Sequence, residues 1–232
     1  MAFPQTMRDL MLEPLSDLNV GPHHTRSSAI HPIRYVGELG LWAMFKSDVS
    51  RTFNATQWSQ LPILPLLSNN PLRNEHSHCG DEHSVQARVH ARVGHSLSLD
   101  AQYQGLDLSF GDFKCVPTAY TKVPDFIFWR PSSSVALVAG EVKAPWIRRH
   151  DLARDVGDAL SVSSDALRDY LGQIAEYMHD LGLKYGVLTT YSQTIFLRQV
   201  VHNMRWKLEF SPAIKNTDMF QPPSSATLND YA

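Results

Sequence analysis

The run from Val135 to Lys143, Val-Ala-Leu-Val-Ala-Gly-Glu-Val-Lys, is apolar at almost every position until Glu141. So short a segment, apolar on both of its alternating faces, predicts a strand in the centre of a sheet covered by helices on both sides. A second run, Phe126 to Trp129, opens after Pro124-Asp125 and stops at Arg130-Pro131 and a serine turn. Its aromatic, β-favouring composition predicts a neighbouring strand, with the turn short enough for antiparallel pairing. Buried strands of this kind require helical layers, so the fold class is α/β.

Helical patterns flank the pair. Val85, Val89 and Val93 recur every four residues and predict a helix from Asp81 that ends at Gly94. Leu97 to Tyr103 and Leu106 to Phe113 alternate between glycines and predict a hairpin. Leu167, Tyr170, Leu171, Ile174, Met178 and Leu181 follow the i, i+3, i+4, i+7 rule, predicting a second helix capped by Ser163 or Ser164 and ended by Gly182. Tyr185 to Thr190 and Thr194 to Val201 predict two more strands. Pro4, Pro14, Pro22 and Pro32 break up the N-terminal region, and the stretch from Pro62 to Asp81 has loop chemistry. The expected division is a partly irregular N-terminal extension (1–80), a folded domain (81–210) and a flexible tail (211–232).

Composition narrows the function classes. Lys+Arg number 21 against 23 Asp+Glu, a formal charge of −2, which excludes a globally basic nucleic-acid-coating protein. With 43% hydrophobic and 19% charged residues the chain is not a disordered one. Cys79 and Cys115 are too few for a disulfide-stapled scaffold and point to a reducing compartment. The apolar run around Leu61 to Leu67 is interrupted by Pro62 and Pro65, far short of the roughly 18 residues of a membrane span. Pro4, Asp9 and Glu13 do not read as a secretory signal, so nucleus or cytoplasm is expected, with no membrane partner.

The residues that carry chemistry are Asp125, Glu141 and Lys143. Side chains alternate along a strand, so Glu141 and Lys143 emerge on one face while Val142 points into the other layer. Antiparallel pairing across the Arg130 to Ser134 turn brings Asp125 towards the same edge. Converging carboxylates repel, and a hard divalent cation such as Mg²⁺ or Mn²⁺ relieves that repulsion while leaving positions for water and phosphate. An ammonium beside the ion can orient or help deprotonate an attacking water.

This combination resembles the PD-(D/E)xK nuclease superfamily, and the resemblance implies a restriction-endonuclease-like core in the order α-β-β-β-α-β, covering roughly Asp81 to Val201. Gln173-Ile174-Ala175-Glu176-Tyr177 matches the QxxxY signature of its RecB-like and λ-exonuclease-like branches. The motif order also resembles the PD-(D/E)xK nuclease-like proteins abundant in fungi, among them effectors. The resemblance implies that Asp125 and Glu141 are catalytic metal ligands for Mg²⁺ or Mn²⁺ and that Lys143 activates or orients water. Gln173, assisting catalysis, and Tyr177 would lie near substrate, and a first-helix glutamate, Glu82 or less suitably Glu75, would complete the metal site. DNA is the implied substrate.

Plainer readings stand beside these. Glu141 and Lys143 can form a simple ion pair, Asp125 can be a turn residue, Gln173 can face solvent and Tyr177 can pack. Lys143, Arg148, Arg149 and His150 form a basic cluster suited to a phosphate backbone, although Asp151, Asp155 and Asp158 follow at once. A catalytically inactive nuclease-fold protein that binds nucleic acid or a protein partner is the alternative function. His76, His78, Cys79 and His83 have the flavour of a zinc site, but their spacing fits no standard zinc module. Oligomeric state is not encoded legibly, and a homodimer is compatible with everything above.

Overall fold

The apolar run forms strand β6 (Val135–Val142), and burial grows along it until Ala139 to Val142 are all inaccessible. The computed structural model describes residues 6–26, 33–61, 77–161, 165–202 and 204–219. Ahead of β6 lie α1 (Met7–Met11), β1 (Asn19–Val20), β2 (Glu38–Leu41), α2 (Phe45–Ala55), β3 (His78–Cys79) and α3 (Glu82–Arg88). A π-helical segment, Val89–Gly94, then leads into α4 (His95–Tyr103), β4 (Ser109–Gly111) and β5 (Phe126–Arg130). After β6 come α5 (Leu152–Ser161), α6 (Asp165–Asp180), β7 (Tyr185–Thr189), β8 (Gln193–His202), β9 (Arg205–Phe210) and β10 (Ile214–Lys215).

One mixed sheet of eight strands organises these elements, in the order β2-β9-β8-β7-β6-β5-β4, with β10 also pairing β8. Strands β4, β5 and β6 form an antiparallel meander, β7 runs parallel to β6, and β8 returns antiparallel to β7. Segments ahead of residue 81 and after 210 join this sheet: β2 lies parallel to β9, and Ile214 pairs with Thr194.

Helices cover both faces. On one, Leu167, Leu171, Ile174 and Met178 of α6 pack with Ala139 of β6, Leu188 of β7 and Leu197 of β8, all fully buried. Each of these Leu, Ile and Met side chains contributes roughly 1.5–3 kcal/mol by leaving water. On the other, Val85 and Val89 pack against Phe126, Val142 and Tyr191. The end of α6 is set by Gly182, whose φ of +65° only glycine adopts without strain, while the Leu183 N–H reaches back to the Met178 carbonyl at 2.8 Å. The proposed caps Ser163 and Ser164 lie outside the described residues.

Two expectations are corrected. The first helix does not end at Gly94, and Leu97 to Tyr103 is helical, so the expected hairpin does not form. Asp81 caps α3 through a reciprocal pair of bonds with Ser84, and once a helix is nucleated, continuing it costs little. Gly94 serves packing instead of termination: a β-carbon there would lie 2.3 Å from the Phe110 ring. Ser98 Oγ then accepts the Phe110 N–H at 3.0 Å, tying α4 to β4, which is only three residues long.

Candidate functional site

The site forms where β5 begins and β6 ends. The register pairs Phe126 with Gly140 and Ile127 with Ala139, so Asp125, one residue before the strand, stands across from Glu141. Asp125 donates its N–H to the Gly140 carbonyl at 3.0 Å and accepts the Val142 N–H on Oδ2 at 2.7 Å. Lys143 follows Glu141 by two positions, and its ammonium lies 2.5 Å from Glu141 Oε1 and 3.6 Å from Glu82 Oε1. Glu82 comes from the first turn of α3, on the helix that covers Phe126 and Val142. Asp125, Glu141, Lys143 and Glu82 are thereby brought together from three elements separated by as many as 61 positions, the last three through ion pairs and Asp125 through the register and its bond to Val142.

Burial and mutual charge set the electrostatics. Burial, followed by the Asp125 charge, pushes the Glu141 carboxyl up to about 8, and the facing ammonium only partly offsets this. Burial also raises Asp125 above the usual carboxylate range, against the pull of the Val142 N–H and Lys143. For Lys143 burial opposes the charge, but Glu141, Glu82 and Asp125 together hold the ammonium above its ordinary value. Two buried carboxylates with one ammonium leave the site short of positive charge.

Glu141 Oε2 is buried and has no hydrogen-bond partner, while the facing Asp125 carboxylate is held through Oδ2 by the Val142 N–H. An unpartnered buried carboxylate oxygen is costly and calls for an explanation such as an ion. Hard oxygen donors beside a third carboxylate fit Mg²⁺ or Mn²⁺, which take one or two protein carboxylates and keep water and phosphate for the rest. Among the described residues no group of three or more His, Cys, Asp or Glu side chains is placed to hold a metal ion together; an ion of this kind can sit on one or two carboxylates.

The QxxxY residues lie on α6, over the same face of the sheet. Gln173 Nε2 donates to the Tyr177 hydroxyl at 2.7 Å, and Tyr177 reaches the Val123 carbonyl at 3.5 Å, two residues before Asp125. Burial raises the Tyr177 phenol to about 12; the Gln173 bond opposes the rise, and the charges of Glu141 and Asp125 add to it. The expectation that Tyr177 packs and the one that it neighbours the acids both describe it. Gln173 is half-buried, and its Oε1 is buried without a partner. Arg148 and Arg149 sit exposed on a short turn after Lys143, whereas His150 turns inward, donating from Nδ1 to the Ala144 carbonyl at 2.8 Å.

Glu75 and His76 lie outside the described residues. His78 and Cys79 form β3, paired with β1, and the Cys79 thiol faces the Ser84 carbonyl at 3.9 Å. His150, read in the sequence as part of the basic cluster with Arg148 and Arg149, is buried instead. Two contributions went unread in the sequence. Gln86 and His90 both reach the Asp125 carbonyl, and the spacing Glu82, Gln86, His90 was the available signal. The second is an open cleft of about 570 Å³ lined by His23, His24, Thr25, Gly80, Asp81 and Ser84, the last three close to Glu82 in the sequence. Its rim is fixed by Trp146, which donates to the Thr25 carbonyl at 2.9 Å.

No helix among the described residues is long and apolar enough to cross a membrane. No protein-family model matches the chain, and no curated protein matches it.

Proposed function

We propose that this chain is a divalent-metal-dependent nuclease that hydrolyses phosphodiester bonds in DNA, with a restriction-endonuclease-like core. The observation that carries the reading is the buried, unpartnered Glu141 Oε2 set across from Asp125 and beside the Lys143 ammonium. The element order supports it: helices α3 and α4, the meander β4-β5-β6, helices α5 and α6, then β7 follow the α-β-β-β-α-β sequence the resemblance implies, with a second helix at each helical position.

Asp125 and Glu141 would hold Mg²⁺ or Mn²⁺, which would supply positive charge to a phosphate and acidify water, with Glu82 alongside through its ion pair to Lys143. The chain's own residues do the rest. Lys143, held protonated by its acidic neighbours, acts as a fixed cation that orients the attacking water and offsets negative charge in the transition state. Gln173 and Tyr177 line the α6 side, where the Gln173 amide can donate to a phosphate oxygen. Arg148 and Arg149 are exposed beside the active strand and suit the phosphate backbone further along.

The test is cleavage of plasmid and single-stranded DNA by the full chain with Mn²⁺ or Mg²⁺, against Asp125→Asn and Lys143→Ala. Loss of one group from such a unit costs at least about 10²-fold in rate. Metal-dependent cleavage that survives both substitutions refutes the assignment. Binding of DNA without any cleavage in the wild-type chain would favour the inactive nuclease-fold reading.

A further inference from the structure

Asp125 is anchored at its backbone as well as at its carboxylate. Its carbonyl accepts Gln86 Nε2 at 2.7 Å and His90 Nε2 at 3.3 Å, donors 39 and 35 positions away in the sequence. A carbonyl has two lone pairs, so both are occupied here. Because a carbonyl only accepts, His90 carries its proton on Nε2. The His90 ring meets the Phe110 ring edge-on at 4.9 Å, and Phe110 stacks on Phe126, the residue after Asp125. Glu82, Gln86 and His90 are spaced by four along α3 and into the π-helical segment, so one stripe supplies Glu82 to Lys143 and two donors to Asp125. Irregular π turns of this kind recur at functional sites.

We propose that Gln86 and His90 are positioning residues for Asp125: they pin its backbone so that Oδ2 stays on the Val142 N–H and the carboxylate keeps its place across from Glu141, ready for a cation. This rests on the nuclease reading above. The physical need is geometric. Asp125 sits one residue before β5, and its carboxylate is tied to the sheet through the Val142 N–H, a bond that is lost if the residue swings away. Two donors on its carbonyl resist that swing and prepare the site in advance. Outer-shell bonds of this type typically alter metal affinity by about 10–100-fold.

The experiment uses the full chain with Gln86→Leu and His90→Phe, singly and together, and His90→Gln as the donor-retaining variant. His90→Phe keeps an aromatic ring on Phe110 and removes only the donor. Two readouts are taken: Mn²⁺ binding by calorimetry, and exchange of the Val142 amide in metal-free protein by NMR. The double variant is expected to bind Mn²⁺ about 10–100-fold more weakly. Its Val142 amide exchanges faster, while the Lys143 amide, bonded to the Thr189 carbonyl at 2.8 Å, keeps its protection and reports an intact sheet. His90→Gln restores both readouts towards wild type. Unchanged Val142 protection in the double variant overturns the positioning role, whatever the metal does. Failure of the wild-type protein to bind Mn²⁺ more tightly than Asp125→Asn overturns instead the nuclease reading on which the role rests.

Discussion

In the absence of divalent metal the stability of this protein should fall as pH rises, and Glu141 is the reason. Its folded carboxyl titrates near 8, raised by burial and by Asp125, whereas in the unfolded chain it returns to the ordinary value near 4.5. Between those limits the native state holds a proton that the unfolded state has lost, so stability declines with increasing pH. Each pH unit of the interval is worth roughly 1.4 kcal/mol, which gives a ceiling of about 5 kcal/mol by pH 8. That is a large fraction of the roughly 5–15 kcal/mol that stabilises a domain. His150 acts in the opposite direction: burial lowers its pKa, so its share of stability is lost as pH falls through about 6.5. The measurement that separates them is urea unfolding in chelator between about pH 5 and pH 8, for wild type and Glu141→Gln. The histidines contribute equally to both proteins, and the difference isolates Glu141. Wild type should lose ground to the variant steadily with rising pH, and saturating Mn²⁺ should abolish the trend, because a bound cation favours the ionised carboxylate. Parallel curves for the two proteins would refute this account of the site.

Two other expectations follow from particular contacts. A β-carbon at Gly172 would fall 1.8 Å from the Ile33 carbonyl, where residues 33–37 cross α6 and Arg168 donates to the Tyr35 and Gly37 carbonyls; Gly172→Ala should therefore cost about 1–3 kcal/mol in chemical unfolding, and an unchanged midpoint would show that the crossing is loose. If Arg148 and Arg149 touch DNA phosphates, changing both to alanine should weaken binding at all sequences and reduce the slope of log K against log salt by about 2, as read by anisotropy titrations at several ionic strengths; an unaltered slope removes them from the interface.

The sequence by itself determined the elements whose patterns are local and strong. A run such as Val135 to Val142 has nowhere to go but the middle of a covered sheet, and Leu167, Leu171, Ile174 and Met178 trace a stripe that only a helix can bury. Alternation along a strand also placed Glu141 and Lys143 on one face, where they pair, and Val142 on the other, in the core cluster that includes Val85. Tertiary structure alone decided the rest. Leu97, Leu99 and Ala101 alternate like a strand, yet the chain there is helical, because a helix already begun at Asp81 continues and Gly94 lets Phe110 pack closely against it. β2 and β9 pair across more than 160 positions, too far apart for any local pattern to signal. The same holds at the site. Asp125, Glu141 and Glu82 could be named from their spacing and family resemblance, but the grip of Gln86 and His90 on the Asp125 carbonyl depends on how a distant helix lies across the sheet. The proton affinity of Glu141 depends in turn on how completely that packing removes water.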